Sequence, residues 1–262
     1  MSATVATRAG YLVTAVLVCS FASGQTSVRN VPPALDVIIG HMRQVAVASQ
    51  PQPLSVVREY RFTKGTSGEV TSKVLARLDY DSDGLERYSI QQTIGSSRGE
   101  DIVKRILEHE VITSPESRKL AVNSENYDFM FAGMSVFDGQ QCYLLRLLPK
   151  RQDPGLIAGQ AWVDQRSFRL LHIEGNMVRT PSWWLKTVSV EITFSNVGGR
   201  WVQTTTRADA DVRMIGARSL HSQVVSSEAG QGVTAGMRGN SGRSLTTPVI
   251  PAEILLRPLR HE

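Results

Sequence analysis

The run from Tyr127 to Pro149, YDFMFAGMSVFDGQQCYLLRLLP, decides the architecture of the chain. Asp138-Gly139 at its centre is a tight hairpin dipeptide, so residues 127–137 and 140–149 read as two antiparallel strands. Both strands are apolar at odd and even positions alike. Successive strand residues face opposite sides, so something is expected to cover each face of this hairpin.

Working outward, the same period of two recurs on both sides of the hairpin. Upstream, residues 56–64, 70–80 and 85–94 each alternate apolar with polar. Arg58 and Lys64 break the pattern by falling on the face of Val56, Tyr60 and Phe62. Downstream, strands are expected at 159–164, around 168–173, and at 184–195, 200–211 and 216–226, with Gly198-Gly199 turning between two of them. Two segments switch to helical spacing. Residues 33–48 carry Leu35, Ile38, Ile39, Met42 and Val45 after Pro33, and residues 100–112 carry Ile102, Val103, Ile106, Leu107 and Val111. Within the second helix, Glu108-His109-Glu110 reads as a polar helix face. Pro115 suggests a further short helix near 115–122.

Ten strand candidates in series, interrupted by two helices, give a mainly β (α+β) fold. A single antiparallel sheet of that size is expected to curl into a strongly curved or incomplete β-barrel, with the helices packed in its concave face.

The ends of the chain differ from this body. Arg8, the apolar run 11–22 and the small residues Ala22-Ser23-Gly24 read as a secretory signal peptide over 1–24, with one globular domain over 25–227. Val18 before Cys19 disfavours a lipid anchor there, so the mature protein is expected to be soluble and periplasmic. Residues 228–262 read as a glycine-rich tail in which Val249, Ile250, Ile254, Leu255 and Leu256 are suited to a docked terminal strand.

Composition narrows the function. The 262 residues carry a formal net charge of +5, with no dense Lys/Arg run, which argues against nucleic-acid binding. Asp79-Tyr80-Asp81-Ser82-Asp83-Gly84 has the opening of a calcium loop, but Ile90 stands where a bidentate Glu is needed, so a solvated turn is the reading. The five histidines show no short metal-ligand spacing, and no nucleophile elbow, phosphate loop or dinucleotide glycine pattern occurs. No catalytic residue, metal or cofactor is assigned, and the mature chain's single Cys142 reads as a buried thiol.

Certain phrases of the sequence resemble a known family. They are Asn126-Tyr127-Asp128-Phe129, then Asp138-Gly139-Gln140-Gln141-Cys142-Tyr143-Leu144-Leu145, Leu148-Pro149-Lys150, Gly159-Gln160-Ala161-Trp162-Val163-Asp164 and Phe168-Arg169-Leu170. The stretch 33–226 is similar to the outer-membrane lipoprotein-sorting (LolA/LolB-like) superfamily. The resemblance implies a half-barrel capped by helices, holding acyl chains in an apolar hollow, with no chemistry. It also implies a periplasmic carrier or, in the alternative, an envelope sensor contacting a membrane-bound protein partner. A hydrolase with an unrecognised site is the third reading.

For a lipid- or lipoprotein-binding monomer, the residues expected to line the hollow are the large apolar ones on the faces that alternation points inward. These are Tyr60, Phe62, Tyr88, Ile90, Trp162, Phe168, Trp184 and Phe194. A register error of one residue would reverse any of them.

Overall fold

The computed structural model describes residues 32–49, 52–65, 68–81, 84–111, 121–153, 155–180, 185–213 and 216–229. The signal peptide expected over 1–24, most of the short helix expected near 115–122, Trp184 and the tail from residue 230 fall outside them.

All ten expected strands form, joined in one antiparallel sheet. In chain order the elements are α1 (Leu35–Ala48), β1 (Leu54–Lys64), β2 (Glu69–Tyr80), β3 (Leu85–Gly95), α2 (Ser97–Glu110), β4 (Tyr127–Phe137), β5 (Gln140–Pro149), β6 (Ile157–Asp164), β7 (Leu170–Met177), β8 (Leu185–Val197), β9 (Arg200–Val212) and β10 (Gly216–Ala229). The strand order is β3-β2-β1-β10-β9-β8-β7-β6-β5-β4, so among the described residues β3 and β4 are the edge strands and the sheet does not close into a barrel. The β1–β10 pairing joins the two meanders, with Tyr60 opposite Ser222 and Phe62 opposite Leu220.

One apolar core shows that this sheet curls. Val74, Ala76 and Leu78 of β2 share it with Leu147 of β5, and all four are fully buried. Seven strand spacings separate β2 from β5, which is about 34 Å across a flat sheet. Helices of roughly 10–12 Å diameter cannot cover a flat face of that width, so the sheet curls toward the helices on its inner face. Register shifts leave one extra residue in β10 opposite Val57 and Arg58, one in β4 between Phe131 and Gly133, and one in β9 opposite Thr193 and Phe194, which add local twist and bend.

The turn at Asp81 is a tight hairpin. The Asp81 amide donates to the Gly84 carbonyl at 2.9 Å, and the Gly84 amide donates to Asp81 Oδ1 at 3.0 Å. At the other end of the sheet, Gly159 and Gly175 sit directly opposite on β6 and β7. A Cβ on either would collide with the backbone of the other strand, so these two positions require glycine for close approach.

The expectation that both faces of the β4–β5 hairpin are covered is not met. Met130, Met134 and Val136 are 51%, 48% and 56% exposed, because β4 is a sheet edge and no described element packs over its distal half.

Candidate functional site beneath helix α2

Helix α2 connects the strand at one free edge to the strand at the other, and lies against the inner face of the sheet beside β2 and β3. Its start is fixed locally. The Ser96 hydroxyl accepts from the Arg98 amide at 3.3 Å, and Glu100 supplies an acidic group to the first turn. Thr93 Oγ1 of β3 donates to Glu100 Oε2 at 2.7 Å, and Lys104 Nζ meets Glu100 Oε1 at 2.7 Å. From that anchored end the helix presents Val103, Ile106 and Leu107 to the sheet, all fully buried. These three side chains join the apolar core on the inner face of the sheet.

The far end of α2 is held by charge. Arg58 of β1, 2% exposed, is the residue that breaks the apolar pattern of its strand. Its Nη1 donates to Glu110 Oε2 at 3.1 Å, Glu110 Oε1 at 3.3 Å and the Tyr60 hydroxyl at 3.5 Å. Its Nη2 donates to the Tyr80 hydroxyl and the Gln203 carbonyl, each at 3.2 Å. Burying an ion costs several kcal/mol unless a partner and further hydrogen bonds replace its water, and these five contacts supply them. Burial opposes the Arg58 charge, yet Tyr80, Tyr60 and Glu110 around it raise its pKa above the ordinary arginine value. Burial likewise pushes the Glu110 carboxyl above its usual range, with Arg58 pulling the other way. Glu110 is thus a buried ion-pair partner rather than part of a polar helix face.

Helix α1 covers a second, smaller area of the same face. Ile38 packs on Tyr143 and Leu145 of β5 and Val163 of β6. His41 stacks on Phe168 with ring centroids 4.5 Å apart, and Phe168 turns out of the β6–β7 hairpin with a φ of 54°. Phe129 and Leu170 touch both apolar clusters, so the areas under α1 and α2 are continuous.

The eight residues expected to line a hollow divide into four groups. Tyr60 and Phe194 are buried in the core beneath α2, and Phe62, Tyr88 and Ile90 pack against that core. Phe168 lies beneath α1 instead. Trp162 stands on the opposite face. It pairs with Leu144 and His172, while its neighbours Ala161 and Val163 pair with the inward Leu145 and Tyr143. There Trp162 meets His172 edge-on at 5.0 Å and Phe137 at 6.2 Å, and its Nε1 donates to Ser135 Oγ at 3.3 Å. The inward positions of β6 are held by Ile157, Gly159, Ala161 and Val163, so the register places Trp162 on the other face. Trp184 lies outside the described residues.

Sequence reasoning missed the Arg58–Glu110 pair, although the misplaced Arg58 was its visible signal. It also missed the apolar stripe along β4. Tyr127, Phe129, Phe131, Met134 and Val136 share the helix-bearing face by their register with β5, and their exposure rises from 1% at Tyr127 to 56% at Val136.

Among the described residues no cluster of three His, Cys, Asp or Glu side chains is placed to hold a metal ion, and no helix is long and apolar enough to cross a membrane. Cys142 is buried, and burial pushes its thiol above the ordinary value, which disfavours the reactive thiolate.

An open, curled antiparallel sheet with two helices on its inner face is thus the class of structure. Neither a family model nor a curated protein matches the chain. Among solved structures it is similar to a putative outer membrane lipoprotein-sorting protein domain from Vibrio parahaemolyticus. That likeness has 16% identity and a TM-score of 0.45, over 74% of this chain and 92% of the other. It is also similar to a DUF1329 family protein from Desulfovibrio piger, with 12% identity, a TM-score of 0.43, and 78% and 96% covered. A LolA superfamily protein from Nitrosomonas europaea has 11% identity and a TM-score of 0.39, with 76% and 95% covered.

Proposed function

We propose that the protein is an exported, non-enzymatic binder of lipid or lipoprotein acyl chains, which it takes up on the sheet face now covered by α2. The observation that carries this reading is the nature of that cover. A single apolar face spans the inside of the sheet, and a two-ended helix closes it. One end is tied to β3 through Thr93 and Glu100, the other to β1 through Arg58 and Glu110.

The magnitudes favour exchange. Val103, Ile106 and Leu107 together account for about 5–9 kcal/mol of burial, at about 1.5–3 kcal/mol per side chain. A sixteen-carbon acyl chain offers roughly 11 kcal/mol, at about 0.8 kcal/mol per CH₂. The surplus is a few kcal/mol, from which the cost of separating Arg58 from Glu110 must still come. Binding of that kind is reversible, as a carrier requires.

The test is native mass spectrometry of the full chain purified gently after export. A co-purifying lipid or acylated peptide, removed by organic extraction and taken up again when offered, is the expected result. A clean protein mass that takes up no offered lipid contradicts the proposal.

A further inference from the structure

We propose that residues 249–256 of this chain pair along the free edge of β4 as an eleventh strand. The edge itself is the first observation. From Phe129 to Phe137, β4 carries no charged residue, and its exposed side chains include Met130, Phe131, Met134 and Val136. Edge strands are ordinarily guarded by charge or by a covering element. The opposite edge, β3, has both, with Glu86 and Arg87 on the strand and α2 packed beside it. An uncharged, apolar stretch of nine edge residues is a template for one more strand.

The second observation is where the chain leaves the sheet. β10 ends at Ala229 opposite Leu54, at the same rim where β8 ends, β5 begins and β4 ends at Phe137. A segment entering from that rim runs antiparallel to β4. Six strand spacings separate β10 from β4, about 29 Å along the sheet. The 19 residues 230–248 can reach roughly 60 Å, so the span is easily met.

The third is the pattern of the segment. Residues 249–256 read Val-Ile-Pro-Ala-Glu-Ile-Leu-Leu. In an antiparallel pair, alternate residues direct both backbone groups at the neighbour. With Ile250, Ala252, Ile254 and Leu256 facing β4, Pro251 lacks its amide only on the solvent side, where an edge strand tolerates proline. Pro248 falls in the bonding set, which places the start of the strand at Val249. The same direction brings Arg257 toward Asp128, whose carboxylate is 70% exposed at the far end of β4.

Amide hydrogen exchange on the full chain tests this, comparing it with a full-length Ile254→Asp/Leu256→Asp variant. Both substitutions lie beyond the sheet, so exchange in β5 to β9 reports whether the fold is intact. The expected result is that the β4 amides not bonded to β5 exchange at least about tenfold faster in the variant. Protection in the full chain should not change with protein concentration or on lipid extraction. Equal rates in the two proteins overturn the proposal. So does protection that grows with concentration, which assigns the edge to a second copy, or protection lost on extraction, which assigns it to an acyl ligand.

Discussion

Arg58 of β1 and Glu110 of α2 meet at 3.1 Å inside an apolar core, and they are the only oppositely charged pair among the described salt bridges with both side chains under 10% exposed. The pair fastens the end of α2 to β1 of the sheet. Its neighbours, Tyr60, Tyr80 and the Gln203 carbonyl, leave the guanidinium no need of water.

Removing one partner should therefore cost more than removing both. Arg58→Met leaves a buried carboxylate, and a destabilisation of about 3–5 kcal/mol is expected in urea unfolding. Arg58→Met/Glu110→Leu should recover most of that loss, because no ion remains to be satisfied. A double variant as unstable as the sum of the singles would show that the pair is not coupled as the distances imply.

The two faces of the sheet should separate in binding. Phe62 packs against the core beneath α2, whereas Trp162 lies on the other side. With a fluorescent sixteen-carbon fatty acid as probe, Phe62→Asp is expected to abolish uptake. Trp162→Ala should bind as the native chain does. Both must first be shown folded by circular dichroism. Loss of uptake in the tryptophan variant alone would place the ligand on the wrong face.

Much of the fold was legible in the sequence, and the misses share a cause. Period-two alternation located strands such as β1, β2, β3 and β8, which are long enough to repeat it several times, while the Asp138-Gly139 turn located β4 and β5. Alternation carries no sign, however. On β6 the rule that large apolar residues point inward chose Trp162, whereas the inward positions belong to Ile157, Gly159, Ala161 and Val163. Arg58 was visible as an anomaly, but its partner sits 52 residues away on α2, a pairing that no local pattern encodes. The bare edge of β4 depends on strand order, which the length of β4 and its composition do not fix.

The glycine pair yields a further expectation. Gly159→Ala puts a methyl group into the backbone of β7, and Gly175→Ala does the same to β6. Each should destabilise the fold by about 1–3 kcal/mol, the usual cost of overpacking. Gly139→Ala, where a Cβ meets nothing within 4 Å, should act through its φ of 75° alone. If thermal unfolding finds Gly159→Ala neutral, β6 and β7 are not so closely paired.

His172 gives the pH dependence a direction. It is stacked at 4.5 Å on Phe137, edge-on to Trp162, with Nδ1 3.1 Å from Thr193 Oγ1. Burial lowers its pKa below the ordinary histidine value, against the pull of Glu174 and Glu191. As pH falls below about 6.5, the unfolded chain takes up this proton before the folded one does. Stability should decline from there down to the folded value, and His172→Phe should remove that part of the slope. An NMR titration that places His172 at or above the ordinary value would contradict this.

The most direct measurement of the central claim is amide hydrogen exchange across α2, in the full chain with and without saturating hexadecanoic acid. If acyl chains replace the helix on the sheet, amides in Ser97–Glu110 should exchange faster when the fatty acid is bound, while those of β1, β2 and β10 slow or hold. Binding that leaves α2 equally protected, or no binding at all, would contradict the account.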